Sequence, residues 1–273
     1  MVRKLLFILL LAFSLHAATA MERAASLLDE DTYRSHRKLV ALLFENDSRF
    51  RHGSGYDMVK IATVLEENGL LHLNLPTYRT VELSFEYGGE NPLFFMKSVD
   101  ETLRNLGYAS FMTRSARLDK NGFVWNVSLR TDTIPDPVSL AKRFARTGAA
   151  VTDIERLETT RWRYRVDMSR ARIAALPIFA GDIRKVVRPV RPVWVDVSKI
   201  RRLTIRELPG SHWYADVVVY DKMLRILSVK QNDTRTRYMR LRLPSDAAYV
   251  KITDRFTLEN LRSGVKLSAQ GER

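Results

Sequence analysis

Three glycines, Gly69, Gly107 and Gly148, stand where an apolar period of about 3.6 residues stops and a period of two begins. A left-handed residue ends a helix at no steric cost only when it lacks a Cβ, so each glycine reads as the C-terminal stop of an amphipathic helix. The segments around them, "VKIATVLEENGLLHLNLPTYRTVELSFEY", "MKSVDETLRNLGYASFMTRSARLDKNGFVWNVSL" and "LAKRFARTGAAVTDIERLETTRWRYRVDM", each predict helix, glycine, strand, turn, strand. The second strand of each alternates: Val81, Leu83, Phe85 and Tyr87, then Phe123, Trp125, Val127 and Leu129, then Trp162, Tyr164, Val166 and Met168. One face of every such strand is therefore buried, while Arg161, Arg163 and Arg165 point away from the core. Tandem units of this kind imply an α+β fold: a mainly antiparallel sheet with helices on one side, in the ferredoxin-like order β-α-β-β-α-β if counted from "VELSFEY".

The punctuation agrees. Asp57 opens a helix that buries Met58, Ile61, Ala62 and Leu65, "DKNG" at 119–122 supplies a hairpin turn, and Asp136 with Pro137 sets a helix start. From Met21 to about Asn46 the pattern is helical, with Asp31 or Thr32 available as cap. Beyond Leu176 the helical period vanishes. "VWVDV", "RLTIREL", "HWYADVVVYD", "LRILSVK", "RYMRLRL", "AYVKITD" and "GVKLSA" are short extended runs separated by turn residues, the pattern of an all-β sandwich or small barrel. The expected organisation is a signal peptide at 1–20, a helical N-terminal region at 21–76, an α+β ferredoxin-like domain at 77–176, a Pro/Arg-rich linker at 177–193 and a basic β-sandwich at 194–273. Within the linker each proline disfavours the helical region for its predecessor, so "RPVRP" is expected to be extended.

In element order residues 57–170 resemble the small periplasmic modules of bacterial envelope and secretion machines, such as secretin N-terminal and POTRA domains. That resemblance implies an interaction module. It extends to no catalytic motif.

Arg3 and Lys4 precede the apolar run Leu5 to Leu15, and "ATA" closes the stretch, which predicts export with cleavage after Ala20. The run is shorter than the roughly 20 residues of a spanning helix, and no other segment approaches that length. The chain has no cysteine, which excludes disulfides, thiolate chemistry and lipid-modified cysteine. A cysteine-free exported chain points to a bacterial periplasm. The net charge of +14 is lopsided: residues 21–183 hold 23 Lys/Arg and 22 Asp/Glu, whereas residues 184–273 hold 20 and 9. A field of one sign over one region speaks of anionic partners.

No catalytic pattern stands out. "HGSGYD" at 52–57 lacks the strand context and spacing of a nucleophile elbow and reads as a turn before the Asp57 cap. His36, His52, His72 and His212 lack zinc-site spacing, so neither metal nor cofactor is expected. "DED" at 29–31 reads as a helix cap. Glu66 with Glu67, and Asp153 with Glu155, are carboxylate pairs of the kind a glycosidase uses, but sequence proximity does not set them across a cleft and solvated surface is the better account of them. The binding candidates are the cations and rings of the last third: Arg184, Lys185, Arg188, Arg191, Trp194, Arg201, Arg202, Arg206, Trp213 and Tyr214. Guanidinium forks suit carboxylate or phosphate, and flat rings suit sugars. The expectation is a periplasmic, non-catalytic interaction or scaffold protein docking on an envelope protein or an anionic cell-wall or envelope polymer. Nucleic acid is not expected in that compartment. A glycan-binding β-sandwich using the three rings is the alternative, with a glycan hydrolase ranked below it.

Overall fold

The computed structural model describes residues 18–89 and 91–272. The described chain is mixed α+β, with five α-helices and several mostly antiparallel sheets. Of the expected signal peptide, residues 1–17 lie outside the described residues. Helix α1 (Ala20–Ala25) begins on the last residue of that segment and is capped by Thr19 within it, whose hydroxyl accepts the Glu22 N–H while the Glu22 carboxylate accepts that of Thr19. Ala20 is fully buried, and its N–H donates to Asp47 at 2.7 Å. Helix α2 (Glu30–Leu43) is capped by Asp29 rather than by Asp31 or Thr32, because the first acid of "DED" holds the extended conformation that lets its carboxylate accept the Thr32 N–H. "RHGSGYD" folds into a tight hairpin, β1 (Arg51–His52) and β2 (Gly55–Tyr56), that delivers Asp57 to cap α3 (Met58–Glu67). The four apolar residues of α3 named above are all buried.

Helices α4 (Pro92–Asn105) and α5 (Pro137–Arg146) start at Asn91 and Asp136, each with proline in the first turn. All of α3, α4 and α5 end alike. Leu70, Tyr108 and Ala149 donate back to Leu65, Leu103 and Phe144, while Gly69, Gly107 and Gly148 donate to Glu66, Arg104 and Ala145 with φ of +69°, +98° and +81°. These paired bonds satisfy carbonyls that a helix end would otherwise leave open.

The first large sheet contains β3 (Asn74–Tyr87), β4 (Met112–Asp119), β5 (Gly122–Thr133), β6 (Ala150–Glu158) and β7 (Arg161–Asp167), in the order β4-β5-β3-β7-β6. The first unit departs from expectation: one continuous strand follows α3. Pro76 has no N–H to donate, so pairing with β5 lapses between Asn74 and Arg79 as a bulge, and the expected turn does not form. Strand β7, not β6, lies beside β3, and runs parallel to it. The alternating residues Val81, Leu83 and Phe85, with Phe123, Trp125 and Val127 and with Trp162, Tyr164 and Val166, join the buried faces of all five helices in one core cluster. The N-terminal helices thus share the core of the sheet that follows.

A second core cluster runs from Ile178 to Ala269. One contributing sheet has the order β13-β12-β15-β10-β8: β8 (Leu176–Pro177), β10 (Val193–Asp196), β12 (Ala215–Asp221), β13 (Ile226–Gln231) and β15 (Ala247–Asp254). The other has the order β14-β11-β16-β9: β9 (Ile183–Val186), β11 (Ile200–Glu207), β14 (Tyr238–Arg242) and β16 (Val265–Glu272). The stretch 177–193 is not the connector expected between two units. It contains β9, which pairs with β16, and leads into β10, which pairs with β15, so "VRPVRP" carries the chain from one sheet of this cluster to the other. Nor is it extended throughout: Arg188, directly before Pro189, has φ +48°. The corner demands a sharp change of direction, and that demand outweighs the local preference of a residue before proline.

Candidate functional site

Cations occur on the first sheet and on the four-stranded sheet, but only the first set is neutralised. On the polar face of the first sheet, Arg163 lies 3.2 Å from Glu86 and 3.0 Å from Glu155, Arg165 lies 3.3 Å from Glu86 and 3.7 Å from Asp153, and Arg161 lies 2.9 Å from Glu158. Arg23 of α1 closes on Asp153 at 2.6 Å. The arginines expected to face solvent therefore form a cross-strand ladder with acids. Asp153 and Glu155, one of the carboxylate pairs considered for catalysis, are spent in it.

The four-stranded sheet is different. Leu203 and Ile205 on β11, Leu241 on β14, and Leu267 and Ala269 on β16 are buried, which turns the alternate residues outward. Register then places them in rows. Arg202 faces Arg242 and Gln270, Thr204 faces Arg240 and Ser268, and Arg206 faces Tyr238 and Lys266. Lys266 faces Lys185, and Ser268 faces Ile183. Lys185, Arg202, Arg206, Arg240, Arg242 and Lys266 thus share one face, and among the described residues none of them forms an ion pair. The C-terminal cations that do pair stand elsewhere: Arg184 with Asp182, Arg225 with Asp221, Arg235 with Glu207 and Arg255 with Asp233. Tyr238 lies between two guanidinium groups, Arg206 at 5.7 Å and Arg240 at 5.6 Å from its ring centroid. Where β16 runs out, Arg201, Arg202 and Arg242 line a groove with Glu272.

Directly opposed residues in an antiparallel pair have Cβ atoms about 4.5–5.5 Å apart, so Arg202 with Arg242 and Lys185 with Lys266 are like-charge neighbours that cost stability. Such an array suits multivalent anions: forks for phosphate or carboxylate oxygens, hydroxyls of Thr204 and Ser268 between them, and no acid within the rows, Glu272 standing beyond them in the groove.

The sequence candidates divide accordingly. Lys185, Arg202 and Arg206 lie on this face, and Arg201 lies at its end. Arg184 has the opposite parity on β9 and is held 3.2 Å from Asp182. Arg188 and Arg191 are exposed on the corner. Trp213 is a core residue with no exposure, its indole N–H donating to the Thr253 carbonyl at 2.8 Å, so it offers no platform to a sugar. Trp194 stacks on Tyr220 at 5.2 Å on the five-stranded sheet and is covered by Lys97 of α4. Burial, then the charge of Asp216, raises the Tyr220 phenol above its ordinary range, in keeping with an enclosed position. Tyr214 packs edge-on to Phe256. The three rings do not form a common surface. Arg240, Arg242 and Lys266 are the cations of this face that linear clustering misses.

The remaining candidates have local roles. His36 and His72 contact Thr32 through their Nδ1 atoms, at its carbonyl and its hydroxyl respectively. Among the described residues no group of three or more His, Cys, Asp or Glu is placed to hold a metal. Glu66 and Glu67 are exposed at the end of α3, where burial and then the Asp136 charge raise the Glu66 carboxyl above its ordinary value. No helix among the described residues is long and apolar enough to cross a membrane. Comparison with protein-family models and with curated proteins finds no match.

Proposed function

We propose that this chain is an exported, periplasmic, non-catalytic interaction protein whose cationic sheet face docks on an anionic envelope component or an acidic partner. The observation that carries the reading is the contrast between the two polar sheet faces: paired arginines on the first, and six unpaired cations without an acid in their rows on the second. We read the C-terminal cluster as a β-sandwich, supported by two sheets contributing apolar faces to one core. We read the first sheet as a ferredoxin-like order with a hairpin, β6 and β7, where that order has a single strand. In this reading the first unit supports the second, and the leading apolar segment directs export.

The test is retention on isolated envelope fractions. Screening length falls from about 10 Å at 0.1 M salt to about 3 Å at 1 M, so bound protein is expected to elute with rising salt. A variant carrying Arg202→Glu, Arg240→Glu and Arg242→Glu should fold and lose retention, while Arg184→Ala should change little. Retention that ignores both salt and the triple substitution overturns the reading.

A further inference from the structure

The cationic face is not purely polar. Alternation along β9 sets Ile183 outward beside Ser268, followed by Lys185, and Val187 lies two residues further on; Ile183 is 62% exposed and Val187 61%. The corner then carries Val190, 90% exposed, between Arg188 and Arg191. Across the sheet, at the β14 edge, Tyr238 is 53% exposed between its two arginines. Large apolar side chains thus stand at the margin of an unpaired cationic array, and at the corner the backbone accepts a left-handed arginine before proline where an extended one would relieve strain.

A soluble polyanion gains nothing from exposed valine and isoleucine. An anionic bilayer uses both features, because lipid phosphates lie in one plane opposite the cations while aliphatic tips enter the boundary between headgroups and acyl chains. Tyrosine favours that same boundary. Resting on the docking reading above, we infer that the partner is the surface of an anionic lipid bilayer, with Val187 and Val190 entering the headgroup layer and the six sheet cations facing the phosphates.

The chain has no cysteine, so a single introduced thiol reports one site. Val190→Cys and, as a control on the first sheet's hairpin, Lys120→Cys would each carry a polarity-sensitive dye. The probes are vesicles of phosphatidylglycerol with phosphatidylcholine, vesicles of phosphatidylcholine alone, and soluble polyglutamate. The expected result is salt-sensitive sedimentation with the anionic vesicles only, with a blue shift at position 190 and none at 120. Val187→Ser with Val190→Ser should weaken vesicle binding about tenfold and leave polyglutamate binding unchanged. Binding to polyglutamate without binding to anionic vesicles overturns the lipid inference and leaves an acidic polymer or protein as the partner, and vesicle binding without a shift at 190 overturns the entry of the corner into the headgroup layer. Binding to neither anion overturns the docking reading as well.

Discussion

The Nζ atom of Lys97 lies 4.4 Å from the ring centroid of Trp194, joining α4 of the first core to β10 of the second. Beside it the Asn91 side-chain amide donates to the Met223 carbonyl at 2.8 Å while its Oδ1 accepts the Phe94 N–H. One residue thereby caps α4 and holds the turn between β12 and β13.

Trp194→Ala removes a cation–π contact and the stack on Tyr220, and should cost about 2–3 kcal/mol in urea unfolding. Lys97→Met should cost less, about 0.5–1 kcal/mol, because the stack survives. If the contact couples the two cores, the alanine variant also separates their unfolding transitions. A single unchanged transition would deny that role.

The turn held by Asn91 depends on Asp221. Burial alone would raise this carboxyl, but N–H bonds from Arg225 and Met223 and the Arg225 guanidinium outweigh it and hold it below the ordinary carboxylate value. A carboxyl depressed by folding stabilises above its unfolded pKa of about 3.9, and that stabilisation is lost as pH falls through the folded value. Asp221→Asn should therefore lose about 1–3 kcal/mol at pH 7. The gap between variant and wild type should close at pH 2, as paired denaturation curves would show.

The three helix-ending glycines should not tolerate alanine equally. A Cβ at Gly69 meets nothing within 4 Å, so Gly69→Ala pays only for its left-handed backbone, about 1–2 kcal/mol. At Gly148 a Cβ would stand 2.3 Å from the Arg170 carbonyl oxygen, and the loss should reach about 3 kcal/mol. Equal shifts in denaturant midpoint would contradict this ranking.

Glu86 neutralises two arginines at once, yet both are partly exposed. Glu86→Gln should cost no more than about 1 kcal/mol, and less at high salt. It leaves Arg163 with Glu155 and Arg165 with Asp153, which is why the loss stays small.

Much of this architecture is legible in the residues themselves. The three glycine stops fall where the periods change, and each of the seven extended runs after position 192 contributes a strand. The short strands β8 and β9 are less visible, because a run of cations and prolines looks like a connector until β16 is known to lie beside it. The cationic face illustrates the same limit. Arg202 and Arg206 cluster in the sequence with Arg184 and Arg188, but Arg240, Arg242 and Lys266 reach the face only through register. For the two arginines the signal was the alternation in "YMRLRL", where arginine takes every second position against methionine and leucine, and for Lys266 it was the same alternation in "GVKLSA". Trp213 shows the converse: a ring next to cations in sequence, yet turned inward because the neighbouring alternation puts Ala215, Val217 and Val219 in the core.

The opposition of Lys185 to Lys266 and of Arg202 to Arg242 gives ionic strength two contrary effects. Added salt quiets the crowding on this face and so favours its folded form, while the same ions would compete with the proposed anionic partner. On the docking reading proposed above, robustness of this face and affinity for its partner trade against each other as the medium changes: the salt that relieves its crowding is the salt that loosens its hold.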